Sequence, residues 1–226
     1  MESSHKVITI AIDGPAGAGK STVAKSLAKA LNVFYLDTGA MYRALTLKAL
    51  REKLDLTNED ELTSLAKRTL IKFESNIKGI RVLLDGEDVS EDIRSLEVTN
   101  NTFYIAQAAG VRQVMVDWQR KMSQKQSVVA EGRDIGTVVF PQATYEFYLD
   151  ADLNERARRR FKELQEKGKE VNEKKLLQEV QQRDQKDLNR KVSPLKKAHD
   201  AVFIDSTGLS VQDVVNKILK LIQKNG

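Results

Sequence analysis

The chain has 226 residues, 41% of them hydrophobic and 31% charged, with a formal net charge of +5 and no cysteine. That length suits one substantial core with room for a lid or a small insert, and the missing thiols exclude zinc ribbons, disulfide scaffolds and catalytic cysteines. No run of 18 apolar residues occurs and the opening MESSHK lacks a hydrophobic signal core, so a cytoplasmic protein with no membrane partner is expected.

Val7, Ile8, Ile10, Ala11 and Ile12 form a near-continuous, β-branched apolar run, the pattern of a strand buried on both faces of a parallel sheet. Gly14 to Ser21 then fits G-x-x-x-x-G-K-[ST], and Val23, Leu27, Ala28 and Leu31 recur at helical spacing. Strand, bare loop and helix in this order make an anion nest. Backbone N–H groups turn onto phosphate oxygens, the helix adds the positive end of its dipole, Lys20 reaches the β/γ-phosphates and the Ser21 hydroxyl can ligate Mg²⁺.

Val33 to Leu36 predicts a second strand, followed by a helix through Met41, Leu45, Leu47 and Leu50. Asp37, Thr38, Gly39, Tyr42 and Arg43 thereby fall at the carboxyl end of a parallel strand, where open α/β sheets bind ligands. Thr57 to Leu70 reads as a capped helix with Asn58 and Glu61 at capping-box spacing. Ile71 to Phe73 and Ile80 to Leu84, parted by Asn76 to Gly79 and followed by an Asp85-Gly86 turn before Val89, predict a small antiparallel insert.

Glu91 to Gln126 reads as mostly helical with a break near Gly110, and Val111, Val114, Met115, Trp118 and Met122 share a face assigned to the core. Arg94 and Arg112 stand at the starts of helical segments and, on sequence alone, read as surface residues. Val128 to Ala130 predicts a further strand, and the charges of Glu131-Gly132-Arg133-Asp134 at its end belong to the site. Arg133 suits a bidentate phosphate clamp. Thr144 to Leu149 and Ala201 to Asp205 supply the fourth and fifth strands, and Ser210 to Lys224 a closing amphipathic helix with Val211, Val214, Val215, Ile218, Leu221 and Ile222 inward.

Two charged helical arms, Leu153 to Lys167 and Glu173 to Leu188, join around Gly168. Between Glu155 and Lys191 there are 13 basic against 8 acidic residues, the whole of the chain's excess. With few apolar anchors, the arms read as a mobile lid. The first carries Arg156, Arg158, Arg159 and Arg160, and the second ends in R-D-x-x-D-x-x-R with Arg183, Asp187 and Arg190.

A phosphate cradle with a mobile arginine arm points to phosphoryl transfer, in which catalysis is positioning and charge neutralisation. A hydroxyl acceptor would call for a base. His5 lies in the tail and His199 follows a Lys-Lys-Ala loop, so neither suits that task. A phosphate acceptor is already anionic and needs arginines instead, for which Arg43, Arg94, Arg112, Arg133 and Arg190 are available.

DGPAGAGKST, LDTGAMYR, the insert ending DGEDVSEDIR, EGRDIGTVVFP, RARRR followed by QEKG, RDQKDLNR, SPL and IDST together resemble the bacterial cytidylate kinase family, nucleoside monophosphate kinases acting on CMP and dCMP in pyrimidine nucleotide metabolism. The resemblance runs from about Ile8 to Val211. It implies an α/β fold: a P-loop kinase core with a five-stranded parallel sheet flanked by helices, an antiparallel β insert in the nucleotide-binding lobe and a helical lid. One kinase domain over 1–226 would comprise a core at about 1–37, 127–152 and 195–226, a lobe at about 38–126 and lid arms at about 153–194.

The resemblance also implies roles. ATP with Mg²⁺ would be held by Asp13, Gly14, Pro15, Ala16, Gly17, Ala18, Gly19, Lys20, Ser21 and Thr22, with Ser21 as metal ligand. The CMP phosphate would meet Arg43 and Arg133, and cytosine would be read by Thr38, Arg112 and Asp134, with Gly39 and Tyr42 beside them. Arg183 and Asp187 would hold the ribose, and Arg190 would lie near the phosphates. Arg156, with Arg159 or Arg160, would close on the transferring group, making Lys20, Arg156, Arg159, Arg160 and Arg190 the catalytic set. Phe103 departs from the family pattern, standing where a serine helps bind the nucleoside, with Thr102 beside it.

A monomer acting on CMP and dCMP, without a nucleic-acid partner, is the expectation. Three other readings compete. A UMP-preferring kinase would share the motifs. A P-loop switch protein would carry Asn-Lys-x-Asp, whereas Asn216-Lys217-Ile218-Leu219 ends in leucine, and Asp205 to Gly208 spells D-x-x-G after the wrong strand. A nucleic-acid binder would interleave exposed aromatics with its basic arm, which this arm lacks.

Overall fold

The computed structural model describes residues 7–76, 79–124, 126–166, 168 and 171–225. His5, the centre of the predicted turn between Asn76 and Gly79, Gln126's neighbour at 125 and the end of the first arm at Lys167 lie outside the described residues. The chain divides into two compact units, one of Met1–Leu36 with Met122–Gly226 and one of Asp37–Lys121.

The first unit is built on a five-stranded parallel sheet in the order β2-β6-β1-β7-β8, from β1 (Thr9–Asp13), β2 (Phe34–Asp37, whose last residue opens the second unit), β6 (Val128–Gly132), β7 (Tyr145–Asp150) and β8 (Val202–Asp205). The five predicted strands are all present. β1 lies at the centre because its Ile10, Ala11 and Ile12 have no polar face to show, and they are fully buried. Ile10 pairs with Val129 on one side and Tyr145 on the other, so the register brings Asp13 level with Gly132 and Tyr148. The carboxyl ends of three strands thus meet at one edge.

After β1 comes α1 (Lys20–Leu31), which Asn32 ends in the left-handed conformation at φ 52°, its N–H bonded back to the carbonyls of Ala28 and Lys29. α6 (Leu153–Glu166) and α7 (Glu173–Leu188) lie against each other through the buried Ala157, Leu164, Leu176 and Val180, in the same unit as the sheet. α8 (Val211–Asn225) packs on α1 with Val214, Val215 and Ile218 inward. Val211, expected inward, is exposed because it opens the helix beyond the end of that stripe.

The second unit begins with α2 (Thr38–Arg51), N-capped by Asp37, whose Oδ1 accepts the Ala40 N–H at 2.7 Å. α3 (Glu59–Lys67) carries the expected cap, with Asn58 Oδ1 accepting the Glu61 N–H and Glu61 Oε1 accepting from Asn58 Nδ2. It stops short of Leu70, whose carbonyl accepts the Asp85 N–H and whose own N–H donates to Asp85 Oδ1. β3 (Ile71–Asn76), β4 (Gly79–Leu84) and β5 (Glu87–Asp88) make the predicted antiparallel insert.

α4 (Leu96–Gln107) and α5 (Ala109–Ser123) break at Ala108, where ψ is 115°, rather than at Gly110. Gly110 lies inside α5 because that helix approaches α3 closely there: a Cβ would stand 2.3 Å from Thr63 Oγ1. The buried stripe of α5 is Val111, Arg112, Met115, Val116 and Gln119. Trp118, Val114 and Met122 are only half-buried, and Arg112, read as a surface residue, is 3% exposed.

Candidate active site

The loop after β1 is bare because the sheet leaves it no room. Gly14 sits at φ 147°, and a Cβ there would stand 1.9 Å from the Leu149 carbonyl oxygen of β7. Gly19 then caps α1 from the left-handed region, so Lys20 starts the helix. Lys20 is buried, and its Nζ folds back to donate to the Pro15 carbonyl at 2.7 Å. Burial, with the Arg133 charge nearby, lowers its pKa to about 7.

The other strand ends close around this loop. Ser21 Oγ donates to Glu131 Oε1 at 2.7 Å, joining the first turn of α1 to the end of β6. A hydroxyl beside a carboxylate is the hard-oxygen donor set that a magnesium ion takes, so the residues present fit the expected metal. Asp13, expected beside the nucleotide, uses both carboxylate oxygens at 2.8 Å to accept the N–H groups of Ile135 and Gly136, fixing the turn after Asp134. Burial pushes its pKa up to about 7.

Arg133 Nε donates to Asp187 Oδ2 at 2.8 Å, so β6 and α7 hold one another. Burial works against both charges. Their mutual attraction outweighs it, keeping the guanidinium above and the carboxyl below its ordinary pKa, with Arg183 and Arg190 also lowering the latter. Arg183 also acts on Lys20, so Lys20, Arg133, Arg183 and Asp187 form one electrostatic group. Arg190 and Asp134 are buried, and Arg190 Nε donates to the Ser193 carbonyl at 3.0 Å.

The arm arginines part company. Arg156 is buried and bonds the carbonyls of Ala16 and Ala151 and the carboxylate of Asp184. Arg159 bonds the carbonyls of Ala18 and Ser206 and the Ser206 hydroxyl, spanning the phosphate loop and the turn after β8. Arg160 instead pairs with Glu163 on its own helix at 2.7 Å and does not join the loop. Ala16, expected in the cradle, has its N–H on Asp184 and its carbonyl on Arg156.

In the second unit, Arg43 Nη2 pairs with Asp37 at 3.2 Å one turn into α2, and a side chain at Gly39 would crowd that pair. Arg112 lies over the Tyr42 ring, 5.5 Å from its centroid, and donates to the Ala106 carbonyl at 3.2 Å. Thr38, at the start of α2, is buried. Thr102 approaches Thr46 Oγ1 of α2 at 3.4 Å, while the Phe103 ring meets Tyr104 edge-on at 6.1 Å. The polar contact at this place in α4 therefore runs through Thr102.

A model described as cytidylate kinase matches residues 10–224. The chain belongs to the cytidylate kinase family. A cytidylate kinase from Desulforamulus reducens is 54% identical over 98% of this chain and 99% of its own length, and one from Bacillus velezensis is 50% identical over 97% and 98%. A crystal structure of an uncharacterized protein from Eubacterium ventriosum, 16% identical, covers 96% of this chain and 98% of its own at a TM-score of 0.53, a likeness of fold alone. Two carboxylates do more here than the sequence signals: Glu131, marked only by its strand end, accepts from Ser21, and Asp184, marked only by its place in R-D-x-x-D-x-x-R, holds Arg156 and the Ala16 N–H.

Proposed function

We propose that the protein transfers the γ-phosphoryl group of ATP to CMP or dCMP, giving ADP and CDP or dCDP. What carries this reading is the balance of charge around the loop after β1, where Lys20, Arg133, Arg183 and Arg190 gather. The carboxylates there have other tasks, Asp13 on the N–H groups of Ile135 and Gly136, Glu131 on Ser21 and Asp187 on Arg133, and His199 is 98% exposed and paired with Asp200. Such a site suits an acceptor whose attacking oxygen is already anionic.

In this reading the loop holds the ATP phosphates, and Lys20 leaves the Pro15 carbonyl for the β/γ-oxygens, where its charge offsets what develops on them. Ser21 with Glu131 would hold Mg²⁺, which when bound neutralises phosphate oxygens. Asp187, gripping Arg133 by Nε, fixes the plane of a guanidinium whose fork meets an acceptor phosphate, with Arg190 in support. Arg183 and Asp187 hold the ribose and Asp134 reads cytosine. Within the second unit, Thr38, Gly39, Tyr42, Arg43 and Arg112 would bind nucleotide, Arg112 being set by its stacking on Tyr42.

Arg159 closes the donor side, while Arg160 is left out of the catalytic set. The basic arm carries its own acids, Arg158 and Arg159 pairing with Glu155 and Arg160 with Glu163, which supports free nucleotides rather than nucleic acid as the partner. The same reading has a monomer acting in the cytoplasm. Among the described residues no helix is long and apolar enough to cross a membrane.

The test is an acceptor panel. With ATP and magnesium, CMP and dCMP should be phosphorylated in preference to UMP, AMP and GMP. A preference for a purine nucleotide would overturn the cytosine assignment, and a preference for UMP would move it to another pyrimidine.

A further inference from the structure

Ala16 has both of its backbone groups taken by charged side chains, alone in the phosphate loop among the described residues. Its N–H donates to Asp184 Oδ1 at 3.2 Å, and its carbonyl accepts from Arg156 Nη1 at 3.0 Å. The same Arg156 Nη1 donates to Asp184 Oδ2, which closes a ring of loop residue, carboxylate and guanidinium. Both residues are buried, at 8% exposure each, although they come from different helices, α6 and α7. Arg156 is anchored again by Nε, on the Ala151 carbonyl at 3.0 Å.

The neighbouring residue shows how tightly this corner is made. A Cβ at Gly17 would stand 2.9 Å from the Arg156 carbonyl oxygen and 3.0 Å from its Cβ, so the first turn of α6 lies directly on the loop. A buried ion pair is a poor source of net stability, since desolvation offsets most of its attraction. Its geometry here is specific to one residue of the phosphate loop, gripping the peptides on either side of Ala16.

We propose that Asp184 is a positioning residue for the transfer reaction: it sets the Pro15–Ala16 peptide through the Ala16 N–H, and with it the loop that receives ATP, and holds Arg156 in place through charge. This rests on the reading of the loop as the ATP site. The two tasks differ in what they require. Holding the Ala16 N–H needs only an acceptor oxygen, whereas holding Arg156 needs a negative charge.

Asp184→Asn and Asp184→Ala separate them. Asp184→Ala should raise KM for ATP about tenfold, the loss of one hydrogen bond to a charged acceptor, and lower kcat on the order of a hundredfold through a displaced Arg156, with KM for CMP within about twofold. Asp184→Asn, which keeps an acceptor for Ala16, should return KM for ATP to within about twofold of the unaltered protein while kcat stays low. Should Asp184→Ala fail to fold, Asp184→Asn against the unaltered protein decides alone. Normal kcat in Asp184→Asn, identical constants for the two variants, or KM values for ATP and CMP rising together would overturn the proposal. Failure of the unaltered protein to make CDP would instead strike at the function itself.

Discussion

Arginine–carboxylate pairs stand beside the phosphate loop of the first unit and beside the β insert of the second, and these two sets have opposite surroundings. In the first unit Arg156 and Asp184 have side chains 9% and 12% exposed, and Arg133 and Asp187 18% and 14%. In the second, Arg51 at 41% meets Glu87 at 58% and Asp92 at 54%. Water screens the second set, so each contact is worth little. In the first set every charge has lost much of its hydration, and a single missing partner strands the other in a low dielectric. A protein keeps such groups where chemistry needs fixed charge: the buried set lies at the phosphate loop, and the exposed set lies on the surface between the β insert and α2.

This contrast breaks most sharply at Lys20. Lys20→Ala should lower kcat by roughly 10³-fold or more, about 4 kcal/mol of transition-state stabilisation, while the midpoint of urea unfolding stays near that of the unaltered protein. Stability is spared because burial disfavours the ammonium, as its lowered pKa records. Steady-state rates with saturating ATP and CMP, beside a denaturation curve, make the check. Near-normal turnover would remove the loop from the reaction.

Next in size is Asp13, whose loss should reach stability directly. Both its oxygens accept backbone N–H groups, from Ile135 and Gly136. Asp13→Asn turns one acceptor into a donor aimed at an N–H, which costs about 1.5–3 kcal/mol in equilibrium unfolding. A loss below about 0.5 kcal/mol would mean that the turn after Asp134 relaxes to re-satisfy itself, and that the buried set is softer than its geometry implies.

What the sequence disclosed follows from range. β1, the glycine loop and α1 were legible because strand periodicity, bare residues and helix periodicity adjoin, and the insert because Asp85-Gly86 marks its own turn. The strand order was not, since parallel neighbours such as β1 and β6 lie more than a hundred residues apart in the register that pairs Thr9 with Val128. For the same reason Glu131 could be assigned to the site by its strand end but not to Ser21, 110 residues away. Arg112 misled because a charged side chain reads as surface unless its cover is known, and its cover is the Tyr42 ring on another helix. The arms looked loosely anchored because their anchor is ionic: no apolar count reveals Arg156 and Asp184.

The smallest effect belongs to the exposed set. Arg51 bonds Glu87 through two nitrogens, at 2.7 and 3.0 Å, and Asp92 at 3.0 Å, a geometry that invites the inference that it staples β5 and the turn at Asp92–Arg94 to α2. Burial says otherwise: Val82, Leu84, Val89 and Ile93 of the same region are 5% exposed or less, and apolar contact of that kind outweighs a screened pair. Arg51→Ala should therefore lower stability by less than about 1 kcal/mol and leave kcat and both KM values unchanged. Raising the salt concentration toward 1 M should shrink the difference further, because ions screen exposed charges over a few ångströms. A loss above about 2 kcal/mol that persists in high salt would show this network behaving like a buried one, and the division between these two sets of pairs would have to be redrawn around geometry rather than exposure.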